Sequence, residues 1–171
     1  MNLYVTHAVA ADADRITDLV NRAYRPASGF EGWTHESALV GGSRVSHDHV
    51  LAAIRTRTVL AGYLEQALIG CVQIEMNGTV ASIGMLAVDP SLQAGGLGSV
   101  MLQRAEAFAA QQHHAEVAVL TVIAAREALV AFYLRRGYRQ TGESLQYPIG
   151  AGSGTPSKDA MTLIKLEKRL N

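Results

Sequence analysis

The sequence predicts an α/β (α+β) fold on one mixed sheet, antiparallel early and partly parallel later. Three observations carry this expectation. Thr58 to Glu65, Leu68 to Met76 and Thr79 to Val88 are strand-like runs separated only by short polar turns, the pattern of an antiparallel meander. From Gly96 onward helical and strand periods alternate, which implies a partly parallel continuation. The chain is 49% hydrophobic and 18% charged, enough apolar material for a core and too little charge to hold the chain unfolded.

Residues 3 to 9 have the branched and aromatic character of a first strand. Asp12 or Asp14 then caps a helix whose Ile16, Leu19, Val20 and Ala23 recur at helical spacing, and which must stop before Pro26. Ala27 to Gly42 is rich in Gly and Ser yet holds Phe30 and Trp33, as a functional loop or partly ordered lid would. A second helix starts near Ser46 or Asp48. Within the meander, Asn77-Gly78 is a strong hairpin signal, because tight hairpin turns need positive φ.

After Asp89-Pro90 a helix is expected from about Gly96 to Gln112, with Leu97, Val100, Met101, Ala105 and Phe108 on its buried face. Glu116 to Ile123 is a nearly continuous apolar run of strand length. Arg126 to Arg136 reads as a helix ended by Gly137, and weaker strands follow around Tyr138 to Gly142 and Met161 to Leu166. Gly150 to Ser157 reads as a mobile loop. The expected total is six to seven strands and about four helices.

At 171 residues without repeat or linker, the chain is expected to form a single domain, residues 1–171, since one core organises about 100 to 200 residues. Fifteen Lys and Arg balance fifteen Asp and Glu, which removes the broad attraction for a phosphate backbone and disfavours nucleic acid as a partner. No run approaches the eighteen or so apolar residues that cross a bilayer, and the N-terminus lacks a basic flank before an apolar stretch. A single cysteine, Cys71, in an apolar strand excludes an intramolecular disulfide; a cytoplasmic location without membrane insertion is expected. None of the six histidines forms a ligand pair at helical spacing, so no metal is expected.

Chemistry concentrates in Ile83 to Ser99, which runs strand, turn, glycine loop, helix. A helix N-terminus presents backbone N–H groups without intrahelical partners, and together with the helix dipole these attract a pyrophosphate. Gly95, Gly96 and Gly98 let a phosphate approach the backbone, Gln93 adds a side-chain donor and Ser99 a hydroxyl. A dinucleotide fingerprint from Gly96 fails at Met101, and no Gly-Lys-Ser/Thr occurs, so both common phosphate motifs are excluded.

The stretch Gln93-Ala94-Gly95-Gly96-Leu97-Gly98 resembles the acetyl-coenzyme A signature of the GCN5-related N-acetyltransferase (GNAT) family, Gln/Arg-x-x-Gly-x-Gly/Ala directly after a strand. Ala131-Phe132-Tyr133-Leu134-Arg135-Arg136-Gly137-Tyr138 resembles the family's second signature, a helix with an aromatic pair closing in Gly and an aromatic. The resemblance extends over nearly the whole chain. It implies a mostly antiparallel sheet in which Met85 to Val88 splays away from Val117 to Ile123, with coenzyme A in the gap. It further implies that peptide groups of Leu86, Ala87 and Val88 pair with the pantetheine arm, and that Gln93, Ala94, Gly95, Gly96, Gly98 and Ser99 hold its phosphates. One N–H of that strand would polarise the acetyl carbonyl.

The resemblance gives Tyr133 the role of proton donor to the departing thiolate, which a phenol of pKa about 10 can fill at neutral pH. The family's frequent Asn and Ala, seven and four residues before this Tyr, are Arg126 and Leu129 here; Arg126 either contacts cofactor phosphate or starts the helix. Glu75 is the leading candidate base, since strand alternation puts it on one face with Cys71 and Gln73. Trp33, His35, Glu36 and Tyr147 are the expected substrate-facing residues, with His35 and Glu36 as alternative bases. The resulting expectation is direct acetyl transfer to a primary amine of a small molecule or peptide. An acyl-coenzyme A sensor with little catalysis is the alternative, Ala87 and Gly84 leave room for a longer acyl donor, and a homodimer is common among similar proteins.

Overall fold

The computed structural model describes residues 3–26, 35–148, 154–156 and 161–171. Strand β1 (Leu3–His7) is followed by a 3₁₀ turn (Ala10–Asp12) and helix α1 (Ala13–Tyr24). Asp12 precedes α1, but its carboxylate accepts from the Val9 N–H at 2.8 Å and the Tyr63 hydroxyl at 2.8 Å rather than capping that helix. A two-residue strand β2 (Val40–Gly41) leads to α2 (His47–Thr56), capped by Ser46, whose hydroxyl accepts from the His49 N–H. The meander β3 (Thr58–Leu64), β4 (Ala67–Asn77) and β5 (Val80–Val88) follows. Asn77 pairs with Val80, and Gly78 takes the positive φ, 58°, that the turn requires.

A 3₁₀ turn (Pro90–Gly95) connects β5 to α3 (Leu97–His113), then come β6 (Val117–Ile123), α4 (Glu127–Leu134), β7 (Arg139–Gln146), β8 (Thr155–Pro156) and β9 (Thr162–Arg169). The main sheet has seven strands in the order β1-β3-β4-β5-β6-β9-β7, with β5 and β6 its parallel pair and β9 inserted between β6 and β7. The expected mixed, mostly antiparallel sheet with four α-helices is therefore what the chain forms. The two short strands β2 and β8 pair with each other instead of joining it. That pairing corrects part of the expected loop: residues 155 and 156 are strand.

Helices cover both faces. Ile16, Leu19 and Val20 of α1 and Val50 of α2 pack with Val59, Ala61 and Cys71 on one side; Met101, Leu102 and Ala105 of α3 pack with Val72, Ile74 and Leu120 on the other. Met101 explains the close approach of α3. A Cβ at Gly62 would stand 2.7 Å from its sulfur and one at Gly70 3.2 Å from its Cγ, so the missing side chains make the groove in which this methionine lies. Buried Glu106 is satisfied by the Tyr138 hydroxyl at 2.9 Å and the Lys168 ammonium at 2.6 Å, which ties α3 to the last strands. Cys71 is fully buried, and that burial pushes its thiol up to about 12, which leaves it an inert core residue. Among the described residues no helix is long and apolar enough to cross a membrane.

Gly154 locks β8 against β2. It has φ 95°, and a Cβ there would collide with the Gly41 carbonyl oxygen and the Arg25 guanidinium. Gly154→Ala should therefore lower stability by more than the about 1–2 kcal/mol of left-handed backbone strain alone. Gly78→Ala, at φ 58° with no heavy atom within 4 Å of the new Cβ, isolates that strain term. Urea denaturation of the two variants side by side checks the difference.

Candidate active site

Over Val80, Ala81 and Ser82, β5 pairs with Val117, Ala118 and Val119 of β6; beyond Ser82 the pairing ends. The cause lies in β5 itself. Gln73 pairs with Gly84 and Cys71 with Ala87, so β5 carries one residue more than β4 across this step, and Met85 absorbs the bulge with φ 49°. The bulged strand bends, β5 and β6 part, and two cavities of about 210 Å³ each lie along the opening.

The second cavity lies at the start of α3. Gln93, Gly96, Gly98 and Ser99 line it together with Leu86, Val88, Phe132, Tyr133 and Arg136. Gly96 enters the helix at φ 76°, a conformation that favours glycine, and nothing lies within 4 Å of where its Cβ would be. Because Asp89 donates its N–H to Ile69 on β4, at 2.8 Å, alternation turns the Val88 N–H the other way, toward the gap. The Val88 carbonyl accepts from Gln93 Nε2 at 3.2 Å, and the Leu86 carbonyl accepts from the Tyr24 hydroxyl at 2.6 Å. Arg136 lies over the Phe132 ring, donates to the Phe132 carbonyl at 2.7 Å, and donates through Nε at 2.8 Å and through Nη2 to the Ser99 hydroxyl. Helix N-terminus, glycines and guanidinium together present donors and positive charge of the kind that suits an anionic, extended ligand.

The first cavity lies on the other side of the bulge, lined by Tyr24, Glu36, Arg44, Gly84, Thr121, Arg126, Tyr133 and Tyr147 among others. Glu36 is buried, with 4% of its side chain exposed. Its Oε1 accepts from Arg25 at 2.6 and 3.1 Å and faces Arg44 Nε at 3.6 Å, while Oε2 accepts from Arg126 Nη1 at 3.3 Å. The guanidiniums of Arg44 and Arg126 also lie over the Tyr24 ring, at 5.4 and 5.6 Å from its centroid.

Tyr133 lines both cavities. Its ring packs edge-on against Phe132 and Tyr138, and among the described residues its hydroxyl has no hydrogen-bond partner. Burial raises its pKa well above the ordinary phenol value; Tyr24 nearby adds to the rise, and Arg126 and Arg136 oppose it.

Several expected site residues are thus brought together: Leu86, Val88, Gln93, Gly96, Gly98, Ser99 and Tyr133 around the second cavity, Glu36 and Tyr147 at the first. Others are not. Gly95 lines neither cavity and Ala94 belongs to the Pro90–Gly95 turn; Ala87, expected to act through its peptide group, keeps its side chain in the core beneath α1. Glu75 is 51% exposed and ion-paired to Arg57 at 2.9 Å, outside both cavities, so strand alternation gave its face but not its distance from the opening. Glu36 is no free proton acceptor either, since both its oxygens accept from arginines. His35 lines neither cavity, and Trp33 lies outside the described residues. Arg126, left between two roles by the sequence, precedes α4 and pairs with Glu36.

Tyr24, Arg25, Arg44 and Arg136 were not anticipated. Arg136 had a signal: it follows Tyr133 by three residues, the spacing of one helical face. Arg25 and Arg44 had none, because they meet only through the turn at Glu36, whose N–H donates to the Tyr24 carbonyl at 2.8 Å.

The chain matches a family model described as the acetyltransferase (GNAT) family over residues 14–138. No curated protein matches it by sequence. Among solved structures it is similar to the ribosomal-protein-S18-alanine N-acetyltransferase of Escherichia coli, with 14% identity, TM-score 0.75, and 99% of this chain and 95% of that one covered. It is also similar to yncA of Salmonella typhimurium, solved with its cofactor acetyl-CoA, at 20% identity and TM-score 0.71, covering 100% and 95%. A third is the PaiA N-acetyltransferase of Thermoplasma acidophilum, solved in complex with coenzyme A, at 15% identity and TM-score 0.71, with 99% of each chain covered. These likenesses establish the shared fold.

Removing the acid at the centre of the arginine cluster should be costly. Glu36→Ala leaves Arg25 and Arg126 with 7% and 8% of their side chains exposed and no shared carboxylate, so a loss of about 3–5 kcal/mol is expected in urea denaturation.

Proposed function

Since the chain belongs to the acetyltransferase (GNAT) family, we propose that it is an acetyl-coenzyme A dependent N-acetyltransferase acting directly on a primary amine. The observation that carries this reading is the opening of β5 from β6 at Ser82, with the N-terminus of α3 at one end and Tyr133 at the junction of both cavities. The residues present fit coenzyme A. The first-turn N–H groups of α3 and Arg136 suit a pyrophosphate, and the Val88 N–H suits a pantetheine amide accepted like an added strand. Two of the similar structures were solved with acetyl-CoA and with coenzyme A, which supports the same assignment.

Bound acetyl-coenzyme A supplies an activated thioester carbonyl. The amine nitrogen forms the new bond to that carbon, and the carbon–sulfur bond breaks. Tyr133 gives its phenolic proton to the sulfur, and the proton shed by the nitrogen returns to the phenolate, so the enzyme ends unchanged. Burial makes the phenol a weaker acid, but the same apolar surroundings destabilise a thiolate as well, so the two proton affinities rise together. No carboxylate lining the cavities accepts a proton in this scheme. The acceptor's ammonium loses its first proton to solvent, and neither Glu75 nor Glu36 is required.

Two measurements test the reading. Gly98→Asp places an acid in the first turn of α3, where it should preserve or raise stability by about 0.3–1 kcal/mol while repelling the pyrophosphate. Calorimetric titration should show acetyl-coenzyme A binding in the wild type and its loss in this folded variant. Tyr133→Phe should keep that binding and lower kcat about 100-fold or more. In the wild type the rate should climb with pH as the acceptor deprotonates, with no falling limb up to pH about 10, because a raised phenol pKa keeps Tyr133 protonated throughout that range. Binding without turnover of any amine would instead favour the sensor.

A further inference from the structure

The first cavity carries a charge pattern that bears on which amine it accepts. Three guanidiniums, Arg25, Arg44 and Arg126, converge on the carboxylate of Glu36. Arg25 is turned away from the opening: its Nη1 donates to the Gly41 and Gly42 carbonyls at 3.2 and 2.6 Å, and it lines neither cavity. Arg44 and Arg126 do line the first cavity, and among the described residues that line it only these two and Glu36 carry charge.

Arg44 is the more available of the pair. Its side chain is 30% exposed, its Nε stands 3.6 Å from Glu36, and among the described residues its two Nη groups make no hydrogen bond. Arg44 and Arg126 are also absent from the lining of the second cavity, where Arg136 and the start of α3 are placed, so their charge is not aimed at the pyrophosphate receptor. A guanidinium stacked on a ring still has N–H donors in its plane, a geometry that matches a carboxylate. The rest of the wall mixes polar groups of Thr121, Tyr133 and Tyr147 with apolar residues, among them Ile83, Ile123 and Leu163.

We propose that the acceptor is an amine that also bears a carboxylate and an apolar body, in the manner of an apolar amino acid, with the carboxylate held by Arg44 and Arg126. This rests on the acetyl-transfer reading above. With the acid end at the arginines, the amine faces the junction lined by Leu86 and Tyr133, where the thioester carbonyl belongs. A polyamine is disfavoured by the same wall, since Glu36, the one carboxylate among its described residues, is already engaged by arginines.

The test compares L-leucine and L-phenylalanine with their carboxamides and with spermidine, using thiol release from acetyl-coenzyme A. The carboxamides keep the skeleton, lose the negative charge and have the more easily deprotonated amine, so basicity alone would favour them. Loss of charge-assisted hydrogen bonds should make kcat/KM about 10- to 100-fold higher for at least one amino acid than for its amide, with spermidine lowest. Arg44→Gln should shrink that ratio about tenfold, chiefly through KM. An amide or spermidine turned over as well as the amino acids, or a ratio unchanged in Arg44→Gln, overturns the proposal. Thermal protection by N-acetyl-L-leucine against N-acetyl-L-leucinamide gives a second readout that needs no turnover. Protection specific to the acid and lost in Arg44→Gln supports the proposal, and its absence in both assays overturns it. Failure of acetyl-coenzyme A to bind in calorimetry would instead remove the acetyl-transfer reading, which separates the two.

Discussion

Between Gly84 and Ala87 the fifth strand carries one residue more than its antiparallel partner, and the consequences of that residue reach across the molecule. A parallel pair needs evenly spaced peptide groups, so a bulge on one strand ends the ladder, here after Ser82. A non-glycine residue at φ 49° costs about 1–3 kcal/mol and persists only where its surroundings over-determine it. Packing on both faces of the sheet supplies that constraint, with α1 and α2 on one side and α3 on the other. The strand's freed carbonyls are then partly claimed by side chains from elsewhere, Leu86 by the Tyr24 hydroxyl and Val88 by Gln93. Helix α1 and the glycine turn are thereby tied to the very segment that opens.

Local signals carried a long way. Helical spacing in α1, the hairpin at Gly78 and the apolar run of β6 each placed an element close to where it forms, because each depends on neighbours in sequence. The glycine loop was legible for the same reason: a helix start and the donors it exposes are made by consecutive residues. What remained hidden depends on distant pairings. β9 enters between β6 and β7 through a register no local pattern specifies, and β2 and β8 are two residues each, too short to show a period. Glu75 shows the limit plainly, since alternation gives the face of a strand but not where along it a neighbouring strand departs, nor that Arg57 will reach it.

The arginine cluster was the least legible part, and its construction explains why. Arg25 follows α1, Glu36 and Arg44 flank β2, and Arg126 precedes α4, with Gly154 packed so closely against Arg25 that a Cβ would not fit. No window of sequence contains this group. It joins the end of α1, the β2–β8 pair and the start of α4 around one carboxylate, so the charge that shapes the first cavity also assembles its walls.

Burying two guanidiniums, Arg25 and Arg126, against one acid is a poor way to gain stability, because desolvation offsets much of the Coulomb attraction and well-packed apolar residues often do as well or better. Elsewhere the course is cheaper: the sheet is packed with Val, Ile, Leu and Ala, and Glu106, the other buried acid among the described residues, is satisfied by one phenol and one ammonium. The cluster at Glu36 departs from that economy at the cavity, with Arg44 and Arg126 among its lining residues. Arg136 does the same at the other cavity, held by Ser99 and Phe132 rather than by an acid. Two positive ends thus flank an apolar middle that holds Tyr133. An apolar middle is where a phenol remains protonated and where the N–H groups of a bent strand act with little screening, so positive charge at the ends and low polarity at the centre perform different parts of one task.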